Sequence, residues 1–264
     1  MPIFKKGRIL PMINDIQKAN MWKRISAYIF DTILLLTVVV GIAFLLSTVL
    51  KYDANIAKRH QLRADYEMRY GVDFDIAQAD YDALSEEERK VYDDAYAEFA
   101  TSPEVNSLDV MIVNLTLIIT VFSFLASFVI FELLIPLGFG NGQTLGKKIF
   151  GICVMRVDSV KINTFQLFVR SILGKYTLET MIPIFLMLLL LFNVMPLACA
   201  VGIFILFIVQ IGFSLFTQLR TPIHDAIAGT VTVDFASQMI FDSTEDMLEY
   251  KKRIHAEEAE RAKY

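Results

Sequence analysis

Charged residues are unevenly distributed along this chain, and their distribution is the strongest constraint on its fold. Residues 25–49 contain one charged residue, Asp31. The run 109–137 contains two charged residues, Asp109 at its start and Glu132. A third run, 178–217, is mainly apolar. A helix needs about 20 apolar residues to cross a membrane. With 55% hydrophobic residues and a mean hydropathy of +0.49, the chain is predicted to be an integral membrane protein rather than a soluble globule.

The lengths of the apolar runs predict an all-α membrane domain over 25–235 with about four transmembrane helices. The run 178–217 is too long for one span, and Asn193 and Pro196 in its middle favour a turn. Three spans are the alternative. The predicted spans cover about 25–49, 109–137, 178–193 and 197–217.

The balance of basic and acidic residues in the polar segments predicts the orientation. Residues 1–24 hold six Lys or Arg against one acid, and 138–176 also hold six against one. The insertion 51–108 holds seven against fourteen acids. By the positive-inside rule, we expect the basic N-terminus, segment 138–176 and the charged tail 236–264 to face the cytoplasm, and the insertion to face outside. Four spans satisfy this orientation, whereas three would place the tail outside.

The insertion 51–108 carries helix signals and is predicted to form a helical hairpin. Ser85 and Glu88 have the spacing of a capping box, and Val91, Ala95 and Phe99 follow at intervals of four residues. Its acid excess has two interpretations, a surface that attracts cations and an ordinary solvated helical surface, of which we favour the second. The tail from residue 243 is predicted to be a charged, solvated helix.

Segment 138–176 combines glycines, basic residues and two short apolar stretches. Its Gly-Lys pattern lacks the spacing of a phosphate-binding loop. The apolar stretches predict two short cytoplasmic β-strands on either side of Asp158 and Ser159, followed by an amphipathic helix over 164–175. Such a basic amphipathic helix suits the headgroup region of an anionic leaflet. The predicted contacts with anionic lipid headgroups are Lys147, Lys148 and Lys175.

Several charged residues are predicted to meet at the cytoplasmic end of the membrane domain. Asp31 and Glu132 lie at similar depths in the first two spans, and Arg24 lies two helical turns from Asp31. Charges inside a span normally face the protein interior and pair with one another. One interpretation is structural, with ion pairs Arg24–Asp31 and Glu132–Arg170; the other is ion or proton handling by embedded carboxylates. The candidate ion- or proton-handling residues are Asp31, Glu132 and Asp225, with Arg24, Arg170 and His224 as charge partners.

The sequence gives little support for an enzyme. No Gly-x-Ser-x-Gly or His-Glu-x-x-His motif is present, and the three histidines lie in three different regions. The two cysteines, Cys153 and Cys199, have no partner at short spacing, so they do not indicate a metal site. We therefore predict no catalytic residue, no metal site and no cofactor. The net charge of −4 and the absence of a Lys/Arg tract argue against nucleic-acid binding.

Three separated segments resemble the RDD family of membrane proteins: WKRISAYIFD at 22–31, GQTLGKKIFG at 142–151 and HDAIAGT at 224–230. The resemblance covers about 20–235 and leaves out the insertion and the tail. It implies a bacterial multi-pass protein of the plasma membrane. The arginine and two aspartates that name the family match Arg24, Asp31 and, less directly, Asp225, and Arg170 also fits the pattern.

The resemblance and the embedded carboxylates lead to two functional hypotheses. The first is a small, homo-oligomeric membrane transporter, with cation/proton (Na⁺/H⁺) antiport as the activity suggested for some family members. The alternative is a non-transporting scaffold or partner-binding subunit, whose polar cluster is purely structural and whose insertion binds the partner.

Overall fold

A computed structural model of the protein describes residues 16–216 and 221–261. It is 76% helical, with one two-stranded sheet. Within the described residues, four helices are long and apolar enough to cross a membrane. The prediction of an all-α membrane protein with four spans is therefore confirmed.

The chain runs through ten helices and two strands in the described ranges. The first half contains α1 (Met21–Val49), α2 (Tyr52–Tyr70), α3 (Gln78–Ala83), α4 (Glu86–Thr101), α5 (Pro103–Phe139) and α6 (Leu145–Ile149). The second half contains β1 (Ile152–Arg156), α7 (Thr164–Leu191), α8 (Pro196–Phe216), α9 (Ile223–Ala228), β2 (Thr230–Asp234) and α10 (Thr244–Arg261). The candidate spans are α1, α5, α7 and α8.

The third span differs most from its prediction. The amphipathic helix expected over 164–175 and the span expected over 178–193 form one helix, α7. The sequence prediction divided them because basic residues interrupt the apolar pattern, but these side chains have partners inside the protein and the helix continues. The predicted turn after it is confirmed, since Asn193 has a left-handed φ of 54° and α8 begins at Pro196.

Two of the spans contain π-helical stretches, in which backbone bonds join residues five apart. Val129–Leu134 in α5 and Val169–Met181 in α7 have this geometry. In α7, the hydroxyls of Thr177 and Thr180 donate to carbonyls five residues earlier. Such stretches occur frequently at functional sites. The stretch in α5 carries Glu132, and the stretch in α7 carries Arg170, Lys175 and Glu179.

Contacts divide the chain into two compact units, Met1–Thr37 with Phe124–Tyr264 and Val38–Ser123. The second unit includes the helices of the insertion, α2, α3 and α4. Its predicted capping box is present, because the Ser85 hydroxyl accepts from the backbone N–H of Glu88 and the Glu88 side chain accepts from the N–H of Ser85. The Tyr66 and Phe99 rings, 5.5 Å apart, join α2 to α4. The helical prediction for this insertion is confirmed.

The small sheet lies in the first unit. β1 pairs antiparallel with β2, with Cys153 opposite Val233. The prediction of two paired strands around Asp158 and Ser159 is only partly correct. The chain does reverse there, with Ser159 at φ 67°, but the main partner of β1 comes from beyond the fourth span. This pairing holds the segment after α5 against the segment after α8.

Candidate functional site

Five helices of the first unit, α1, α5, α6, α7 and α9, bring eight ionisable side chains into one cluster, which we call the charge cluster. It contains four carboxylates, three Lys or Arg cations and one histidine. Moving an ion out of water costs several kcal/mol, so each member needs a compensating contact. The members are Asp31, Glu132, Lys147, Arg170, Lys175, Glu179, His224 and Asp225; all are buried except Glu179, whose side chain is 17% exposed.

Arg170 and Asp225 form the most buried ion pair of the cluster. The Arg170 Nε donates to the Asp225 Oδ1 over 2.6 Å, and the two side chains are 2% and 1% exposed. The hydroxyls of Thr230 and Thr232 donate to the same carboxylate over 2.7 and 3.4 Å. Burial alone would raise the pKa of the Asp225 carboxyl, but attraction to Arg170 and the hydrogen bonds from Arg170 and Thr230 hold it well below its usual range. Asp225 is therefore an anion at neutral pH, and its pair with Arg170 ties α9 to α7.

His224 links the same two helices through a second carboxylate. Its backbone N–H donates to Glu179 Oε1 over 2.9 Å, and its Nδ1 lies 2.8 Å from Glu179 Oε2. The other ring nitrogen, Nε2, lies 3.3 Å from Arg170 Nη2. Because a guanidinium nitrogen can only donate, Nε2 must accept and carries no proton. We therefore assign the ring proton to Nδ1 and describe His224 as neutral, in agreement with the lowering of its pKa by burial. The close approach requires Gly174, since a Cβ there would lie 2.6 Å from the His224 Cβ.

Glu132 on α5 is held by cations from α7. Its Oε1 accepts from Lys175 Nζ over 2.5 Å, while its Oε2 lies 3.9 Å from Arg170 Nη1. The Ser171 hydroxyl donates to the backbone carbonyl of Glu132 over 2.5 Å, which satisfies an acceptor within the π-helical stretch. The predicted pair Glu132–Arg170 is thus the longer of two contacts, and Lys175 is the closer partner.

Asp31 on α1 is bonded to the start of α6. Its Oδ1 accepts from the backbone N–H of Gly146 over 2.7 Å, and its Oδ2 accepts from the Thr144 hydroxyl. Residue 146 must be glycine in this arrangement, because a Cβ there would lie 2.5 Å from the carbonyl oxygen of Ala27. The Lys147 ammonium reaches the same Thr144 hydroxyl over 3.2 Å.

Asp31 and Lys147 differ from the other members of the cluster. Glu132, Glu179 and Asp225 each lie directly against a cation or His224, but no ion pair involves Asp31 or Lys147 within the described residues. Thr144 joins the two instead, with its hydroxyl between the carboxylate and the ammonium. One buried anion and one buried cation are therefore linked without direct neutralisation.

The structure places the remaining predicted residues differently from their expected roles. The Asp31 carboxylate contacts Thr144 and Gly146 rather than Arg24, its expected partner. Lys147 and Lys175, predicted as lipid contacts, are buried within the charge cluster, where Lys175 pairs with Glu132 and Lys147 bonds to the Thr144 hydroxyl. Lys148 is exposed and lies 3.8 Å from the centre of the Phe139 ring.

Sequence reasoning missed three members of this arrangement. Glu179 is a lone carboxylate in an otherwise apolar run, and that signal was available. Thr144 and Gly146 carry no such signal, because a threonine and a glycine in a polar segment are ordinary. The described residues contain no group of three or more His, Cys, Asp or Glu that could hold a metal ion.

Comparison with known proteins identifies the family. Curated proteins gave no match to the chain, and solved structures gave none either. The family model described as the RDD family matches residues 18–229, which include all members of the charge cluster. The chain therefore belongs to the RDD family and is a multi-pass membrane protein.

Proposed function

We propose that this RDD-family protein is a small transporter that exchanges a monovalent cation, of the Na⁺ type, for protons. In this proposal Asp31 binds the cation, and the exchanged proton leaves Lys147. The observation that carries the proposal is the bridge from Asp31 through Thr144 to Lys147. A carboxylate without a direct ion partner can accept a new positive charge, whereas a paired one must first release its partner.

The charge balance of the cluster supports an exchange of single charges. Four carboxylates face three Lys or Arg cations, and the contacts of His224 fit a neutral ring. The cluster then carries one net negative charge when Lys147 is protonated. Binding of one cation at Asp31 adds one positive charge, and loss of one proton from Lys147 removes one. The exchange therefore avoids an additional positive charge, which is costly in a low dielectric.

Lys147 supplies a proton that can be exchanged near neutral pH. Burial and repulsion by Lys175 lower the pKa of its ammonium to about 7. A cation that binds at Asp31 adds a further positive charge nearby and should promote release of the proton from Lys147. This coupling gives the exchange a physical basis.

The other two candidate carboxylates fit a structural role. Asp225 lies against Arg170, and Glu132 against Lys175, in buried ion pairs that join separate helices. Such pairs are expected to fix helix register, and breaking one is strongly destabilising. We therefore assign ion handling to Asp31 and helix attachment to Glu132 and Asp225.

Proteoliposomes test the function directly. We expect a Na⁺ or K⁺ gradient to drive proton movement, measured with a pH-sensitive dye, in vesicles that contain the wild-type protein. Asp31→Asn should abolish this flux with normal folded yield, since asparagine can keep a bond to the Gly146 N–H. Asp94→Asn, an exposed carboxylate of the insertion, is the matched control and should keep full flux. Flux no greater than that of empty vesicles would contradict transport of the tested cations.

The alternative function is a scaffold or partner-binding subunit. The extensive pairing of Glu132, Glu179 and Asp225 favours it, because such pairs can serve register alone. It predicts that Asp31→Asn lowers folded yield, and that deletion of residues 55–105 abolishes capture of a partner. A normal folded yield of Asp31→Asn together with a loss of cation-driven proton flux would favour transport over the scaffold.

We also propose the orientation derived from charge, with both termini in the cytoplasm of a bacterial cell and the insertion outside. The exposed Lys148 supports contact with anionic headgroups on the cytoplasmic side. Cysteines introduced at the exposed positions Asp94 and Lys252 test this orientation. A membrane-impermeant maleimide should label the first in intact cells, and the second only after lysis; the reverse would overturn the orientation. Homo-oligomerisation is a further proposal, and cross-linking in native membranes tests it.

A further inference from the structure

The insertion contains a groove between the segment that follows α2 and the first turns of α4. Its volume is about 380 Å³, which lies within the range of small-molecule sites. Apolar side chains from both segments line it, and several remain partly accessible. These include Ile76, Leu84, Val91 and Tyr92. The groove can therefore cover the hydrocarbon part of a ligand.

The charged side chains that line the groove are all acidic: Asp73, Glu87 and Glu88. Glu88 already caps α4, since its carboxylate accepts from the backbone N–H and hydroxyl of Ser85 over 2.9 and 2.7 Å. Among the described residues, the Asp73 carboxylate accepts only from the backbone N–H of Asp75, over 2.8 Å. Glu87 has no hydrogen bond or ion pair with the residues that the structure describes. Two carboxylates at the groove thus lack a cation.

Two nearby arginines are paired with other carboxylates: Arg63 with Glu67 and Asp75, and Arg69 with Glu98. Arg89 donates to the backbone carbonyl of Asp82 and, within the described residues, forms no ion pair with Asp73 or Glu87. The acid excess of the insertion as a whole strengthens the negative potential around the groove. An apolar floor beside uncompensated carboxylates is complementary to a ligand with an apolar body and a positive group.

We propose that this groove binds a small organic ammonium ion, with its hydrocarbon part on the apolar floor and its ammonium beside Asp73 and Glu87. The inference is independent of the proposed transport activity, since all of these residues belong to the insertion. A transport-inactive Asp31→Asn protein should bind the ligand as the wild type does. This comparison separates failure of one proposal from failure of the other.

The test uses the full chain in lipid nanodiscs and isothermal titration calorimetry, with empty nanodiscs subtracted. The probes are 4-phenylbutylammonium and its uncharged counterpart 4-phenylbutan-1-ol. We expect saturable binding of the ammonium probe with a Kd on the order of 0.1–1 mM, and binding of the alcohol at least about threefold weaker. The preference for the ammonium probe over the alcohol should decrease as the salt concentration is raised, because salt screens exposed carboxylates.

A matched pair of double variants locates the site. Asp73→Asn/Glu87→Gln should remove the preference for the ammonium probe and leave binding of the alcohol unchanged. Glu86→Gln/Asp94→Asn removes the same amount of charge from positions on α4 outside the groove. It should change neither the preference for the ammonium probe nor the binding of the alcohol. Three results would overturn the proposal: no saturable binding up to about 10 mM, equal binding of the two probes, or equal loss in both double variants.

Discussion

Replacement of Asp225 by asparagine isolates the charge of the most buried ion pair in the protein. Asparagine keeps the shape and one acceptor oxygen, and the hydroxyls of Thr230 and Thr232 can reorient to suit the new amide. The charge is lost, and the nearest carboxylate that Arg170 keeps among the described residues is Glu132, at 3.9 Å. An uncompensated buried charge of this kind costs about 3–5 kcal/mol. We therefore expect a large loss of stability with little change in packing.

The assay is thermal unfolding of the purified protein in detergent, followed by intrinsic fluorescence. At about 2–4 °C per kcal/mol, Asp225→Asn should lower the Tm by about 6–20 °C. The double variant Arg170→Gln/Asp225→Asn should lose less than the sum of the two single variants, by about 0.5–3 kcal/mol. Asp94→Asn, which is exposed, should change the stability by less than about 0.5 kcal/mol.

The pH dependence of this stabilisation has a definite sign. The folded-state pKa of Asp225 lies below its unfolded value of about 3.9. The stabilisation is therefore fully present above that unfolded value and is lost as the pH falls through the folded-state pKa. An Asp225→Asn protein as stable as the wild type at neutral pH would refute the reasoning, and Asp225 would return as a candidate ion carrier.

Three further predictions concern buried positions of the first unit. Gly174→Ala places a Cβ 2.6 Å from the His224 Cβ and should cost about 1–3 kcal/mol in thermal unfolding, whereas Gly41→Ala, with no neighbour within 4 Å, should be neutral or slightly stabilising. Equal effects would contradict the close contact. Because burial lowers the pKa of Lys147 to about 7, wild-type stability should rise from about pH 7 towards 10.5, and Lys147→Met should flatten that rise. The Cys153 thiol, whose pKa burial raises to about 12, should resist maleimide at pH 8 until the protein is denatured; rapid labelling of the native protein would disprove its burial.

Features that depend on local sequence could be predicted with good accuracy. The spans follow from runs of residues without charge, and the turn at Asn193 follows from breakers in the middle of such a run. The capping box formed by Ser85 and Glu88 needs only residues three apart. Each of these features depends only on residues that are contiguous in the sequence, so no knowledge of the tertiary structure is required.

The contacts of the charge cluster could not be predicted in the same way. The spans are apolar on all sides, so periodicity does not indicate which face of a helix lies inside the protein. Asp31 and Gly146 are separated by 115 residues, and nothing local indicates that the backbone N–H of Gly146 binds this carboxylate. Lys175 looked like a lipid contact because its partner, Glu132, lies in a different span. The sequence could indicate that charges meet, but the pairing depends on how the helices pack.

The most direct test of the central claim is proton release on cation binding. Purified protein in weakly buffered detergent at pH 7 is titrated with NaCl, with choline chloride as the control for ionic strength, and the pH is followed. Because Lys147 is about half protonated at pH 7, we predict release of up to about half a proton per chain with Na⁺. Choline should release none, and neither should Na⁺ added to Asp31→Asn. The absence of release with Na⁺, K⁺ and Li⁺, or equal release from Asp31→Asn, would contradict the assignment of Asp31 as the cation-binding residue coupled to Lys147.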